Sequence, residues 1–362
     1  MTKKVTMQQI ADHLGVSKFA VSKALSGKAG VSVKTRERIF KAAKQLGYFS
    51  RKHDRFKQAP AISKASSTGV VVVLFPDVRF QTQESSYWAP IVEGITHELT
   101  NNGLDMVAIT ELVGDNAINV INPASIDGTI SVGPVSNALL SELGRWGLPL
   151  ITIDNETSSD AETDCLFTDN FNSVRRLTDQ LIGAGHRSLQ FVGDVRYARS
   201  FYDRWLGFRS SLEEHGIPYS PEQGLIRLSE SSFHNFEELV GIISGLVQRD
   251  ALPGAFVCAC DKIAMMTIEA LRSLGLSVPS DCSVTGFDNI EECAKFTPML
   301  TTIDVPKQWL GIRAVQMLLW RTRFREAPPE KIYVPAEIVN RESTSIPKIR
   351  KIADMSINVE NC

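Results

Sequence analysis

Long apolar runs are missing from this chain of 362 residues: the longest, such as Val70 to Phe75, stop far short of the roughly 20 residues a bilayer span needs. No signal-peptide hydrophobic stretch opens the sequence, so a soluble cytoplasmic protein without a membrane partner is expected. The six cysteines (Cys165, Cys258, Cys260, Cys282, Cys293, Cys362) show neither CxxC nor paired Cys/His spacing. That pattern argues against a disulfide framework and a zinc site, and leaves buried reduced thiols. Enzyme signatures are also absent. There is no Gly-x-Gly-x-x-Gly after a strand, no Walker loop, no Gly-x-Ser-x-Gly elbow and no HExxH, so no catalytic residue, cofactor or metal is expected.

What is present is enough apolar residue, 43% of the chain, for two or three domains with sizeable cores. The formal net charge of −2 hides an asymmetry. Residues 1–64 hold 15 Lys and Arg against 3 Asp and Glu, a net of +12, and the remainder is at −14. The N-terminal segment therefore suits a polyanion, or is a solvated basic tail, and local structure has to decide between the two.

Met7, Ile10, Ala11 and Leu14 recur at helical spacing behind Thr6 as N-cap, which predicts a first helix running to about His13 and broken at Gly15. Ser17 can cap a second helix with Val21, Ala24 and Leu25 facing inward, ended by the loop Gly27 to Gly30. Ser32 can cap a third, with Ile39, Ala43 and Leu46 on one face before Gly47. Two helices joined by a tight glycine-containing turn form a helix-turn-helix, whose second helix enters the major groove by its first residues. Those residues are Ser17, Lys18 and Phe19. Lys18 can donate to guanine O6 and N7, Phe19 can contact a thymine methyl, and Lys23 reaches a base or a phosphate. A small helical adaptor with solvated lysines is the competing interpretation.

The stretch from Thr6 to Gly27, followed by Gly30-Val-Ser-Val-Lys-Thr-Arg-Glu-Arg-Ile and Leu46-Gly-Tyr, resembles the DNA-binding head of the LacI/GalR family of bacterial repressors. By that resemblance Lys18 and Phe19 sit where the family reads its operator, and Lys23 replaces a usual arginine, giving up the bidentate fork. The DNA-binding candidates are Thr6, Ser17, Lys18, Phe19, Ser22, Lys23 and Lys28, continued by Arg51, Phe56 and Lys57 in the hinge segment. That segment departs from the family. Relatives continue after Tyr48 with a Pro-Asn pair and a short helix whose leucine wedges into the minor groove; here Lys57 falls about at the leucine, with Phe56 before it. The expectation is weaker operator bending, or a wedge made by Phe56, or phosphate contacts alone from Arg51, Lys52, Arg55 and Lys57. The expected organisation is a head at 1–57, a linker at 58–68, a core at 69–345 and a tail at 346–362.

From Gly69 onward, strand candidates (70–75, 106–109, 129–132, 150–153, 189–192, 255–259, 283–287) alternate with helical stretches (87–101, 171–184, 204–215, 236–249, 262–274). Such alternation predicts parallel sheets covered by helices, in two units with a ligand at the carboxyl ends of the strands. Phe75-Pro-Asp, Asp169-Asn, Leu181-Ile-Gly-Ala-Gly-His-Arg, Arg204-Trp-Leu-Gly-Phe, Val284-Thr-Gly-Phe-Asp-Asn and Asn340-Arg-Glu-Ser-Thr extend the resemblance to the family's sensor core. The fold class expected is thus an all-α helix-turn-helix head plus an α/β core, a two-lobed periplasmic-binding-protein-like fold with parallel sheets and three crossings between lobes.

By the same resemblance Arg204 grips ligand oxygens and Asp288 accepts from ligand hydroxyls or ring nitrogens. The alternative for this couple is a structural ion pair across the lobes. Cys260 stands where relatives carry a ligand-binding asparagine, and cannot replace its two-sided hydrogen bonding. Tyr87 and Trp88 resemble an aromatic pair that lines the ligand, with plain core packing as the alternative. Asp169 is a further effector candidate beside Phe167, Arg196 and Arg199 are expected to add positive charge, and His186 is read as structural. The functional expectation is a homodimeric transcriptional regulator, a repressor, of a pseudo-palindromic double-stranded operator, controlled by a small-molecule effector of the sugar class. A purine-like corepressor, a phosphoprotein partner, or a solute-binding protein without DNA function are the alternatives.

Overall fold

The computed structural model describes residues 6–25, 35, 38–39, 42, 69–75, 86–110, 122–156, 163–218, 225–226 and 236–345. The chain divides into two compact units, Met1–Ser66 and Ser67–Cys362.

In the first unit α1 (Met7–Leu14) opens with a capping box. The Thr6 hydroxyl accepts from the Gln9 amide, and the Gln9 side chain accepts in return from the Thr6 amide at 2.8 Å, so two of the helix's orphan donors are satisfied. Gly15 ends it at φ +66, a left-handed conformation in which any larger residue is strained. The Ser17 hydroxyl then accepts from the Ala20 amide at 3.1 Å and starts α2 (Lys18–Leu25). Ile10, Ala11 and Val21 are buried together with Ile39 and Ala42, which are themselves helical. The helix-turn-helix expected from the spacing is present, with α1 one residue longer than predicted. Ala43 and Leu46, like Lys28, Arg51, Phe56, Lys57, the linker 58–68 and the tail 346–362, lie outside the described residues.

The second unit is built on two parallel sheets. Strands β1 (Gly69–Phe75), β2 (Leu104–Thr110), β3 (Gly128–Val132), β4 (Leu150–Ile153), β5 (Asp164–Thr168) and β11 (Lys331–Val334) form one sheet in the order β11-β5-β4-β3-β1-β2. Strands β6 (Leu189–Val192), β7 (Leu225–Ile226), β8 (Ala255–Cys258) and β9 (Ser283–Thr285) form the other in the order β7-β6-β8-β9. Between these last and the end of the core, β10 (Thr302–Asp304) pairs antiparallel with β12 (Glu337–Val339). Buried β-branched and aromatic residues such as Val71, Val73, Phe75, Ile151, Phe191 and Phe256 fill the strands, as expected of sheets covered on both faces.

The covering helices are α3 (Trp88–Asn101), α4 (Asn137–Gly144) and α9 (Lys307–Arg323) in the first lobe, and α5 (Asn170–Gly183), α6 (Arg199–Glu214), α7 (Phe236–Gln248) and α8 (Asp261–Ser273) in the second. Helices α3 and α9 cross closely because glycines face each other's backbone: a Cβ at Gly311 would fall 2.0 Å from the Ile91 carbonyl. The chain passes between lobes at Thr168–Asn170, Asp304–Lys307 and Val334–Glu337, the three crossings expected. His186 is fully enclosed, and its Nε2 lies 3.0 Å from the Ser345 carbonyl, tying the last described residue to the second lobe.

Some expected boundaries are revised. Helix α6 begins at Arg199, five residues before the predicted start, because its first turn carries no capping side chain that would announce it. Strands 255–259 and 283–287 stop at Cys258 and Thr285, where the backbone turns into the loops that carry Cys260 and Asp288.

Candidate functional site

Side chains from both lobes meet near the carboxyl ends of the parallel strands. From the first lobe come Tyr87, after β1, and Asp154, immediately after β4; from the second come Arg204 on α6 and Asp288 after β9. Both aspartates sit at positive φ, +55 for Asp154 and +115 for Asp288, so the backbone is bent out of the strand path to turn each carboxylate inward.

Arg204 is only 2% exposed and is the hub. Its Nε donates to Asn170 Oδ1 at 2.8 Å, its Nη1 to the Ala259 carbonyl at 2.6 Å, and its Nη2 lies 3.5 Å from Asp288 Oδ1. The guanidinium stacks on Phe287 at 3.6 Å from the ring centre. Asn170, Ala259, Phe287 and Asp288 all belong to the second lobe, so the couple is an ion pair inside one lobe. The expected alternative of a bridge across lobes is corrected: α6 buries Arg204 against the loops after β8 and β9 before it can reach the other side.

Burial dominates the acid–base character of the site. It raises the Asp154 carboxyl to about 6, with Arg204 and then the Ser200 hydroxyl pulling the other way. It also raises the Asp288 carboxyl, again against Arg204, and the neighbouring Asp261 carboxylate adds to the rise. The Tyr87 phenol is pushed well up by burial and then by Asp154 and Asp288, against smaller opposing effects of Arg204 and the Thr168 hydroxyl. The Tyr87 and Thr168 hydroxyls are both enclosed, and neither makes a hydrogen bond of normal geometry to another protein group.

The remaining predicted positions are disposed as follows. Trp88 meets Tyr87 edge-on at 4.7 Å between ring centres and packs over Gly133, where a Cβ would fall 2.9 Å from its ring. Cys260 is buried, its thiol raised by burial and by Asp288 to about 12, so it is a neutral group in the wall. Asp169 caps α5: its carboxylate accepts from the Asn172 amide at 3.2 Å and from the Asn172 side chain at 2.9 Å. Arg196 and Arg199, expected to add positive charge beside Arg204, are both paired with carboxylates. Arg196 lies 3.4 Å from Asp194, while Arg199 pairs with Asp203 at 2.7 Å and, across the cleft, with Glu156 at 3.1 Å. Glu156 also holds Lys331, and Ser86 donates to Glu292 at 2.8 Å, so each lobe bonds the other at the cleft mouth.

Sequence reasoning missed Asp154, Glu156, Thr168 and Lys307. An aspartate directly after an apolar run, as in Ile153-Asp154, is the signal that could have found the first. Lys307 escaped because its role is tertiary: its Nζ donates to the backbone carbonyls of Asp288, Asn289 and Val305, holding the aspartate-bearing loop in place.

In the first unit, Phe19 is 68% exposed in the first turn of α2. The Lys23 ammonium sits 4.7 Å from the centre of its ring. Lys18 and Ser22 lie exposed on the same short helix, and Thr6 and Ser17 are both engaged as helix caps.

Comparison with known proteins brings the two units together. Residues 6–50 match the family described as bacterial regulatory proteins, lacI family, and residues 178–344 match the periplasmic binding protein-like domain. The HTH-type transcriptional regulator MalR of Streptomyces coelicolor is 27% identical over 350 residues, covering 94% of this chain and 96% of its own. The HTH-type transcriptional repressor PurR of Actinobacillus pleuropneumoniae is 25% identical, covering 93% and 98%. Among solved structures, a LacI family transcriptional regulator from Enterococcus faecium with bound ribose is similar at 25% identity and a TM-score of 0.63, over 77% of this chain and all of that one. A transcriptional regulator CelR–cellobiose complex shares the fold at 21% identity and a TM-score of 0.67, over 94% and 100%. An N-terminal match to the lacI family of bacterial regulatory proteins, a C-terminal match to the periplasmic binding protein-like domain and transcriptional regulators aligned along nearly their whole length give this chain the make-up of a LacI-type bacterial transcriptional regulator.

Proposed function

We propose that the protein is a cytoplasmic repressor that binds a pseudo-palindromic operator as a homodimer and releases it when a sugar occupies the cleft between the two lobes. The observation that carries the reading is the convergence, in one enclosed cleft, of Tyr87 and Asp154 from the first lobe with Arg204 and Asp288 from the second. A hydroxyl-rich ligand touching both sets stabilises the closed arrangement over the open one, and that differential affinity is what shifts the population. The aromatic rings of Tyr87, Trp88 and Phe287 supply apolar faces for sugar C–H groups. Ribose and cellobiose in the two solved relatives favour the sugar class. On the DNA side, Lys18 and Phe19 at the start of α2, with Ser22 and Lys23 further along it, read the major groove, and the basic N-terminal segment supplies phosphate contacts.

A planar nitrogen base acting as corepressor is the second reading, favoured by the same rings and by the buried carboxyl of Asp288 as a partner for ring N–H groups. The two readings differ in sign. Operator duplexes selected from a random pool are titrated with the full chain, with and without sugars and purine bases. A sugar that weakens DNA binding supports the first reading, and a base that tightens it supports the second. In either case Phe19→Ala loses operator binding, whereas Arg204→Ala keeps it and loses the ligand response.

A further inference from the structure

A hollow of about 360 Å³ opens at the amino ends of β4 and β5, opposite the carboxyl ends that border the cleft. That volume lies within the range of small-molecule sites. It is left open because the chain places little there. Gly144 ends α4, Gly147 turns at φ +66 toward β4, and a Cβ built on either meets nothing within 4 Å. Leu148, Pro149, Leu150, Ala327 and Pro329 supply apolar wall. The buried Asp164–Arg321 couple also lines the hollow, but it has no donor left to give. Five hydrogen bonds occupy the five N–H groups of Arg321, two to Asp164 and three to the carbonyls of Phe324, Ala327 and Pro328. The Asp164 carboxylate accepts from the Glu330 amide as well. Two lining groups are not engaged in this way. Arg325 is exposed and, among the described residues, has neither a hydrogen bond nor an ion pair. The Thr163 hydroxyl has only the Cys165 sulfur, at 3.7 Å.

We infer that this hollow is a second ligand site, separate from the cleft, for a small organic monocarboxylate with a compact apolar body. The inference does not depend on what occupies the cleft. Both unengaged groups are donors, and one is a permanent cation whose fork fits a planar carboxylate. One guanidinium and one hydroxyl match the single charge of a carboxylate rather than the double charge of a phosphate. Among the described residues, the only carboxylate lining the hollow is that of Asp164, already neutralised by Arg321; Glu326 and Glu330 belong to the same turn but do not line it. The leucine and proline surfaces cover the body of the ligand, as the walls of small-molecule sites do. Placement gives the site a regulatory reach. Strand β1 begins at Gly69, where the chain enters the core, and lies two strands from β4, roughly 10 Å at the spacing of a sheet. A ligand here therefore sits close to the root of the linker.

Saturation-transfer NMR and calorimetry on the full chain test this with benzoate, cyclohexanecarboxylate and benzamide, the neutral isostere of benzoate. Both carboxylates should bind about tenfold more tightly than benzamide, the worth of one charge-assisted bond. Arg325→Gln should remove that advantage and leave thermal melting unchanged, because the side chain is exposed and unpaired. Gly144→Leu should abolish binding by filling the hollow. It too should not lower the melting temperature, since nothing stands within 4 Å of the added carbon and leucine is the better helix former. Asp288→Asn, in the cleft, should leave benzoate affinity as it is. The inference is overturned if neither carboxylate binds, if benzamide binds as well as benzoate, or if binding survives both Arg325→Gln and Gly144→Leu. A benzoate affinity that changes in Asp288→Asn places the anion in the cleft and overturns it equally.

Discussion

Two buried aspartate–arginine couples occupy opposite ends of the parallel sheets, and they are built differently. At the amino end of β5, Asp164 meets Arg321 of α9 in a bidentate pair at 2.6 and 2.7 Å. Arg321 spends its other donors on the carbonyls of Phe324, Ala327 and Pro328, and Asp164 takes one further bond from the Glu330 amide. Every donor and acceptor has a partner, and the couple locks the turn that leads from α9 to β11. At the carboxyl ends, Asp288 and Arg204 approach to only 3.5 Å, and the charge of the arginine also acts through space on Asp154. The same two residue types make a structural clamp where their hydrogen bonding is saturated and a receptive site where it is not.

That contrast can be broken by matched amide replacements. Asp164→Asn should cost about 3 kcal/mol in chemical denaturation, because it leaves a buried guanidinium without its counter-charge. Asp288→Asn should cost less than about 1 kcal/mol at neutral pH, since burial already drives that carboxyl toward its neutral form. Equal costs would erase the distinction.

Acid sharpens the same comparison. The native Asp154 carboxyl takes up its proton at about 6 and the unfolded one at its ordinary 3.8, so between these values the native state holds the extra proton. Stability should therefore rise as pH falls from 7 toward 4, by roughly 2 kcal/mol from this group, and fall again as pH climbs back through 6. Denaturation midpoints of Asp154→Asn measured over that window should lack this part of the slope.

The smallest effect concerns the cleft mouth. Glu156 joins the lobes through Arg199, and both side chains are partly solvated. Glu156→Gln should change stability by less than about 0.5 kcal/mol, the range of surface ion pairs. Its readout is the lobe equilibrium: the ligand-free core should become more open in small-angle scattering.

Much of this organisation is legible in the order of the residues. The Thr6-to-Gln9 capping box, Gly15 and Ser17 are local devices, satisfied within a few residues of themselves, and they mark out the helix-turn-helix on their own. Strands β1, β4 and β6 are continuous buried runs and are readable for that reason. By contrast β5 begins with the buried Asp164, and β10 and β12 are three residues each, too short for a period of two to emerge. Helix α4, capped by Ser136 at Leu139, is short, and α9 mixes buried Leu310, Ala314 and Leu318 with Arg313 and Gln316, so neither shows a clean apolar stripe.

The sequence by itself determined the two-part organisation, the basic reading head, the alternation of strand and helix, and the candidacy of Arg204 and Asp288, because each rests on local periodicity, capping or residue type. Only the tertiary structure decided that Arg204 is spent within its own lobe, that Asp169 is a helix cap, and that Asp154 and Tyr87 stand opposite Asp288. Charge balance in a buried cleft is a sum over residues far apart in the chain. No local pattern records which cations their neighbours have already taken.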